Sequence, residues 1–166
     1  MSFVNQYSYL LLSVFALIVV AVVLIRRQTR RSALLIALGG IALLLTASFF
    51  ALRPGFSDVT TVAAADALIS NGSPTLIEFY SNYCLGCLAV RPEVDALIAD
   101  IRARYPDSFD ILRIDIHTDF GAVLRERYDF TYTPEFVLLD ARGGETWRGH
   151  VPPALETLDR VAFTSP

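Results

Sequence analysis

Residues 75–87 read TLIEFYSNYCLGC, an apolar stretch that is followed almost at once by two cysteines. The first part, Thr75–Tyr80, is short and rich in β-branched and aromatic side chains, which predicts a buried strand. Cys84 and Cys87 are the only cysteines of the 166-residue chain, and the residues after them have the spacing of a helix. The stretch therefore predicts a dithiol at a strand-to-helix junction, where one pair of thiols can cycle between reduced and disulfide forms.

The C-terminal part of the chain alternates between helix and strand patterns. In chain order, the predicted elements are helix 59–69, strand 75–80, helix 85–105, strand 110–116, helix 120–128, strand 135–139, strand 145–148 and helix 152–163. The alternation of the first elements predicts parallel strands with right-handed crossovers, and the terminal hairpin adds an antiparallel edge. Pro92 is expected to kink the helix that follows the cysteines.

Two long uncharged runs precede this part, at residues 2–25 and 32–52. Each is close to the ~20 residues that a helix needs to cross ~30 Å of hydrocarbon, which predicts membrane spans at about 7–25 and 32–52. A cleaved signal peptide is the alternative for the first run, but signal peptides carry positive charge before the apolar segment, and nothing basic precedes it here. We therefore expect residues 1–52 to form a transmembrane hairpin, 53–58 a linker, and 59–166 one compact domain.

The arginines between the two runs predict the orientation of the hairpin. Residues 26–31 contain four arginines, and short arginine-rich loops stay on the cytoplasmic side. Both ends of the hairpin, and the C-terminal domain with them, are then expected on the extracytoplasmic side of a two-pass protein in a cell or thylakoid-type membrane. The aromatic residues expected near that interface of the membrane are Tyr7, Tyr9, Phe49 and Phe50.

The two parts of the chain differ in charge. Residues 1–52 contain no acidic residue, whereas residues 53–166 contain ten arginines and all 17 acidic residues. An acidic C-terminal domain argues against nucleic acid as a partner, because phosphate binding needs a net basic surface.

Several positions resemble the thioredoxin family over residues 59–164. They are Glu78, six residues before Cys84; Pro92, five residues after Cys87; Thr133-Pro134, before the strand 135–139; and Gly149, after the hairpin. In that family, these places are taken by a buried carboxylate, a proline in the active-site helix, a cis-proline and a glycine. The resemblance implies a thioredoxin fold, an α/β architecture with a central mixed sheet flanked by helices, preceded here by the two-helix transmembrane hairpin.

Among thioredoxin-like proteins, the chain most resembles the membrane-anchored members of thylakoids and bacteria that are linked to cytochrome biogenesis. The likeness lies in EFY…YC..C….P, in LD..G at residues 139–143 and in G..P at residues 149–152. The chain departs from the family where Tyr83 replaces a tryptophan and Leu85-Gly86 replaces Gly-Pro. It has no lysine to pair with the buried carboxylate, and it has two spans in place of one anchor.

The candidate site residues follow from the motif and from the resemblance. A helix N-terminus and a CxxC motif lower the pKa of the first cysteine, so Cys84 is expected to be the attacking thiolate, stabilised by the helix, and Cys87 the resolving thiol. The resemblance implies that Glu78 is buried beside Cys87, where a raised pKa suits it to exchange the resolving proton. It also implies that Pro134 is cis and that the backbone of Thr133 faces an extended substrate. The residues expected to form an apolar rim for a protein partner are Tyr83, Leu85 and Gly86.

Other uses of a CxxC pair remain open at this stage. A structural zinc takes four ligands, but beyond the cysteines the chain has only His117 and His150, which lack ligand spacing and are expected to be polar surface residues. Copper binding by the cysteines with a histidine is a second metal alternative, and a static structural disulfide is a third use of the pair. We expect no metal and no cofactor other than a redox-active Cys84–Cys87 disulfide.

These features predict an enzyme, a membrane-anchored extracytoplasmic thiol–disulfide oxidoreductase that acts on protein dithiols and disulfides. The resemblance implies that it reduces disulfides of exported proteins, for example in cytochrome c maturation. The predicted spans contain no cysteine, so a reductive role requires a separate transmembrane electron donor. The alternatives are an oxidative or isomerase role with an oxidant partner, and a redox-inert thioredoxin-fold module for assembly or metal handling.

Overall fold

A computed structural model describes residues 3–164, with side chains described as far as Arg160. The chain begins with a short helix, α1 (Phe3–Gln6), and two long helices, α2 (Ser8–Arg26) and α3 (Arg31–Leu52). With 19 and 22 residues, α2 and α3 are long and apolar enough to cross a membrane, and neither buries a residue in protein. Both predicted apolar runs are therefore helices, whereas α1 was not predicted.

The C-terminal domain alternates strands and helices in the predicted order. Its elements are α4 (Val62–Ile69), β1 (Thr75–Tyr80), α5 (Leu85–Arg104), β2 (Asp110–Asp115), α6 (Asp119–Arg127), β3 (Glu135–Leu139), β4 (Glu145–Gly149) and α7 (Leu155–Thr164). The bounds of β1 and β3 are those that the sequence predicted. Pro92 lies inside α5, where it removes one backbone hydrogen-bond donor from the helix.

The strands form a mixed sheet in the order β2-β1-β3-β4. β1 and β2 are parallel, as the alternation predicted, and the hairpin β3-β4 adds the antiparallel part, with β3 antiparallel to β1. After α6 the chain returns to the end of the sheet at which β1 and β2 finish. Glu135 at the start of β3 therefore pairs with Phe79 near the end of β1. The loop after β1 and the loop before β3 consequently lie side by side.

The sheet separates two apolar cores, because alternate residues of a strand face opposite sides. Ile77 and Phe79 of β1 pack in the core that includes residues of α4 and α6, and Leu76 packs in the core that includes residues of α5 and α7. Glu78 has the same parity as Leu76. The sheet therefore directs Glu78 toward α5, the helix that carries Cys87.

The linker between hairpin and domain is fastened by hydrogen bonds. The Gly55 N–H donates to the Asn82 side chain at 3.0 Å, and the Asn82 amide donates back to the Gly55 carbonyl at 2.8 Å. The Ser57 hydroxyl accepts from the Asp115 N–H at 2.8 Å, and Asp58 and Arg113 exchange two further hydrogen bonds. The linker thus holds the hairpin against the edge of the sheet where β1 and β2 end.

Candidate active site

The two cysteines lie at the start of α5. Cys84 is the N-cap residue of the helix, with an extended backbone (φ −90°, ψ 121°), and Cys87 lies in the first turn. Both are free thiols, and neither side chain has exposed surface. Because one helical turn separates them, the two thiols pack together in one buried cluster with Tyr80.

The pKa values of the two thiols are shifted in opposite directions. The hydrogen bond from the Cys87 thiol is the largest of the effects that lower the pKa of Cys84 to about 6; burial opposes it, and Thr133 and the backbone N–H groups of Gly86 and Cys87 assist. Burial raises the pKa of Cys87 far above that of a free cysteine, and Cys84 and Glu78 raise it further. The helix terminus therefore supplies only part of the stabilisation of the Cys84 thiolate that the sequence had assigned to it.

Glu78 lies in the middle of β1 and is 3% exposed. Its Oε2 atom accepts a hydrogen bond from Nε of Arg113, its register partner on β2, at 2.6 Å. Burial raises the pKa of Glu78, and the Arg113 guanidinium limits the rise. Because the charge of Glu78 contributes to the raised pKa of Cys87, the carboxylate is electrostatically coupled to the proton of that thiol.

Arg113 is a site residue that the sequence did not reveal. The chain has no lysine, so a cationic partner for the buried carboxylate had seemed absent, but Arg113 fills that role from the neighbouring strand. Its side chain is only 13% exposed and lies over the Tyr80 ring, 5.5 Å from the ring centroid. The sequence signal was an arginine inside the predicted strand 110–116, because a charged residue buried in a sheet seldom lacks a partner of opposite charge.

The loop before β3 forms the other wall of the site. The peptide bond between Thr133 and Pro134 is cis, as the resemblance implied. The Thr133 carbonyl accepts a hydrogen bond from the Cys84 thiol, with a sulfur–oxygen distance of 3.6 Å. Pro134 faces the backbone of the cysteine turn, since its Cδ atom is 3.4 Å from the place where a Cβ atom on Gly86 would lie.

Both histidines, which we expected to be polar surface residues, are partly exposed and lie beside this site. His150 donates from Nδ1 to the Pro134 carbonyl at 2.9 Å, and its ring stacks on Tyr132 at 3.6 Å. His117 is half-buried, and its Nε2 atom is 2.9 Å from the Ser81 hydroxyl. Burial lowers the pKa of His117. Among residues 3–164, no three His, Cys, Asp or Glu side chains are grouped so as to hold a metal ion.

The predicted rim is only partly open. Leu85 is 41% exposed, and Gly86 is exposed as well. Tyr83 instead lies between the ring of Phe49, from α3, and the ring of Tyr7, with both centroids 5.8 Å away. The hairpin therefore covers the third rim residue.

Residues of α1 and of the start of α2 also contact the site, which no sequence pattern predicted. The Asn5 side chain accepts hydrogen bonds from the N–H and the hydroxyl of Thr133, at 3.1 and 2.9 Å. The Ser8 hydroxyl accepts from the Leu85 N–H at 2.9 Å. Of the tyrosines expected near the membrane interface, Tyr7 stacks its ring on Tyr83 of the cysteine loop. The Tyr9 N–H donates to the Tyr83 carbonyl at 3.0 Å, whereas its hydroxyl donates to the Leu45 carbonyl of α3 at 2.6 Å.

Comparison with known proteins agrees with this geometry. The thioredoxin family model matches residues 57–153, more than half of the chain. This chain belongs to the thioredoxin family. Among solved structures, the crystal structure of mitochondrial thioredoxin 3 from Saccharomyces cerevisiae superposes with a TM-score of 0.50 and 18% identity, covering 69% of this chain and 96% of that one. At that identity, the likeness shows the fold alone.

Two curated relatives of this thioredoxin-family chain are named for thiol:disulfide interchange. The TxlA homolog of Synechocystis sp. is 38% identical over 77 residues, which are 45% of this chain and 39% of that protein. DsbD 1 of Pseudomonas aeruginosa is 31% identical over 103 residues, which are 57% of this chain and 17% of that protein. The chain thus spans less than half the length of either relative.

Proposed function

We propose that this thioredoxin-family chain is a thiol–disulfide oxidoreductase, anchored in a membrane by α2 and α3, with its dithiol on the extracytoplasmic side. The observation that carries the proposal is the contrast between the two thiols. With a pKa of about 6, Cys84 is a thiolate at neutral pH, whereas Cys87 beside it keeps its proton. A thiolate attacks disulfides and a thiol does not, so the pair has one nucleophile and one resolving group. The interchange relatives support the same chemistry.

The reaction that we propose transfers two electrons from the dithiol to a protein disulfide. The Cys84 thiolate attacks one substrate sulfur, the substrate disulfide breaks, and the other substrate sulfur leaves as a thiolate that takes up a proton. Cys87 then gives its proton to the Glu78 carboxylate and attacks the Cys84 sulfur. This second step releases the substrate sulfur as a thiolate, which takes up the proton from Glu78, and it leaves a Cys84–Cys87 disulfide.

The roles proposed for the neighbouring residues follow their positions. Glu78 suits proton exchange because burial raises its pKa and because it is coupled to Cys87. Thr133 and Pro134 line the approach to Cys84, and the exposed Leu85 and Gly86 form the open part of the rim. The Arg113 guanidinium limits the rise in the pKa of Glu78, so the carboxylate remains able to accept a proton from Cys87.

The membrane part of the proposal rests on the exposed apolar surface of α2 and α3. A soluble protein rarely leaves two helices of this length without a buried residue, because large apolar patches drive association. The arginines between the helices favour a cytoplasmic loop, and therefore an extracytoplasmic dithiol. We further propose that the chain works as a reductant of exported proteins, apocytochromes included, and that a separate membrane dithiol donor restores it.

The proposal is tested by insulin reduction with the full chain in detergent and dithiothreitol as electron source. We expect catalysed reduction by the unmodified chain and none by Cys84→Ser. Cys87→Ser retains the nucleophile without the resolving thiol, so it should accumulate a mixed disulfide with the substrate. An unmodified chain that is folded and fully reduced but does not turn over insulin would leave the redox-inert alternative standing. The redox state of the pair in cells then distinguishes a reductant, kept mainly as dithiol, from an oxidant, kept mainly as disulfide.

A further inference from the structure

The surface around Cys84 offers a main-chain hydrogen-bonding position that the sheet does not use. The ladder between β1 and β3 ends at the pair Phe79 and Glu135, so the N–H of Thr133 lies beyond it. The next residue, Pro134, has no N–H. Because the Thr133 carbonyl is 3.6 Å from the Cys84 sulfur, any peptide joined to Cys84 must pass along Thr133. Its N–H is therefore placed to bind a carbonyl of that peptide.

In the structure, the chain itself occupies this position. The Oδ1 atom of Asn5 accepts the Thr133 N–H at 3.1 Å and the Thr133 hydroxyl at 2.9 Å, so an amide carbonyl sits where a peptide carbonyl would bind. Thr133 is 1% exposed and Cys84 has no exposed surface. Thiol–disulfide exchange needs direct contact between sulfur atoms, and this arrangement does not permit it.

Further contacts fasten the same segment across the cysteine loop. The Gln6 carbonyl accepts from the Ser81 hydroxyl at 2.9 Å, and the Ser8 hydroxyl accepts from the Leu85 N–H at 2.9 Å. The Tyr9 N–H donates to the Tyr83 carbonyl at 3.0 Å. Residues 5, 6, 8 and 9 thus each make a hydrogen bond to the cysteine loop or to Thr133, the surface that a substrate peptide would contact.

We propose that residues 3–9, which we call the N-terminal segment, are a built-in occupant of the substrate groove, and that Asn5 is the residue that controls access to Cys84. The occupant is short and held mainly by individual hydrogen bonds, so a substrate peptide can displace it. Resting on the proposed function, the inference is that a substrate peptide must displace Asn5 from Thr133 before it reaches Cys84. The segment includes Ser8 and Tyr9, the first residues of α2, so its release is tied to the position of the hairpin.

The test is alkylation of the reduced full chain in detergent with a bulky maleimide, with the modified cysteine identified by mass spectrometry. Asn5→Ala removes two hydrogen bonds to the groove, and Ser8→Ala removes one. Val4→Ala is the matched control, because Val4 is 63% exposed and contributes no hydrogen-bonding side chain. At ordinary hydrogen-bond strengths, we expect Cys84 to react roughly tenfold faster in Asn5→Ala and a few-fold faster in Ser8→Ala. The Val4→Ala rate should equal that of the unmodified chain.

Cys87 serves as the internal standard for local opening. Its side chain is fully buried in α5, so it should stay unmodified in all variants. Equal Cys84 rates in Asn5→Ala and Val4→Ala overturn the proposal. So does simultaneous modification of both cysteines, because Asn5 would then be holding the fold together and not covering the groove.

Insulin kinetics on the same variants separate this inference from the proposed function. An occupant that competes with substrate predicts a lower KM for Asn5→Ala with kcat unchanged. If Cys84 alkylation follows the series but no variant reduces insulin, the groove occupant stands and the proposed activity fails. If insulin is reduced with the same KM by Asn5→Ala and Val4→Ala, the activity stands and the occupant is overturned.

Discussion

Cys84 and Cys87 lie one helical turn apart, yet their pKa values are shifted in opposite directions. The cause is a different balance of hydrogen bonding and burial at each thiol. Hydrogen bonds from the Cys87 thiol and nearby N–H groups lower the pKa of Cys84, whereas burial raises the pKa of Cys87. The same two effects oppose each other at Glu78. Burial raises the pKa of this carboxyl group, and the Arg113 guanidinium limits the rise. Each charge at this site therefore has one principal partner, and removing that partner should have a measurable effect.

The pKa of Cys84 should depend on its hydrogen bond from Cys87. We expect the thiolate of the reduced chain, followed by its ultraviolet absorbance, to form with a midpoint near pH 6. Cys87→Ala removes the donor and should move the midpoint upward by about one unit or more, toward the ~8.5 of a free cysteine. Cys87→Ser keeps a hydroxyl donor and should shift it less. A midpoint near that of free cysteine in the unmodified chain would contradict the assignment of Cys84 as the nucleophile.

Breaking the Glu78–Arg113 pair should be costly. Arg113→Met leaves the carboxylate buried without its cation, which predicts a loss of about 3–5 kcal/mol in the free energy of unfolding. The double change Glu78→Gln with Arg113→Met removes both charges and should recover most of that loss. Urea unfolding of the full chain in detergent gives both numbers. Equal stability of the single and double variants would show that the pair is not coupled.

The same pair predicts the direction of a pH effect. The pKa of Glu78 is raised in the folded chain, so its contribution to stability is fully present below the unfolded value of 4.5 and is lost as pH rises through the folded pKa. Arg113→Met removes the partner that limits the rise. The free energy of unfolding that Arg113→Met loses should therefore be larger at about pH 7 than at about pH 5. A loss that is independent of pH would argue against a buried carboxylate as the cause.

At the scale of elements, the site is made by two loops that the sheet brings together. Because β3 is antiparallel to β1, its first residue lies next to the last residues of β1, and Thr133 comes within reach of Cys84. The turn from β2 into α6 must be tight for this return to occur. Gly121 lies in the first turn of α6, where an added Cβ would be 2.1 Å from the Asp115 carbonyl oxygen.

Gly121→Ala should therefore destabilise the domain. The clash involves backbone on both sides and cannot be relieved by a side-chain rotation, so we expect a loss of about 1–3 kcal/mol. Gly86→Ala is the matched control, a first-turn glycine of α5 whose Cβ would have no neighbour closer than 3.4 Å. It should leave stability within about 0.5 kcal/mol. Thermal unfolding of the two variants should differ accordingly, and similar melting temperatures would disprove the tight packing of the turn.

The sequence predicted the elements well because periodicity and turn residues are local. TLIEFY and EFVLL became β1 and β3, and the cis peptide bond before Pro134 was implied by resemblance. Arg113 was missed because pairing it with Glu78 requires the register between strands, which no local pattern contains. The contact between Asn5 and Thr133 joins residues 128 positions apart, and Asn5 stands beside a run whose hydropathy suggested only a membrane anchor.

At the scale of the whole molecule, the hairpin and the domain meet at the active-site edge. Phe49 of α3 stacks on Tyr83, and the Arg91 side chain of α5 donates to the Ala51 carbonyl at the end of α3, at 2.8 Å. With α2 and α3 in a bilayer as proposed, these contacts bring the dithiol close to the membrane surface. The orientation then decides which compartment the dithiol serves.

The proposed orientation is tested by fusing an export-dependent alkaline phosphatase after Pro166. We expect activity, because the four arginines of residues 26–31 should keep the connecting loop in the cytoplasm. Replacing those arginines with uncharged residues should lower the activity. Replacing the same number in the domain, at Arg102, Arg104, Arg125 and Arg127, should not. A fusion that is inactive when made with phosphatase but active with a cytoplasmic reporter would place the dithiol on the other side.

The fastened linker also determines how such a catalyst meets its substrates. A loose tether would let the dithiol sweep a volume above the bilayer, with a reach that grows with tether length. Here Gly55, Ser57 and Asp58 are each hydrogen-bonded to the domain, so the domain moves with its anchor. Encounters then become a two-dimensional search in the plane of the membrane. Turnover should depend on the time that a client protein spends at the surface more than on its bulk concentration.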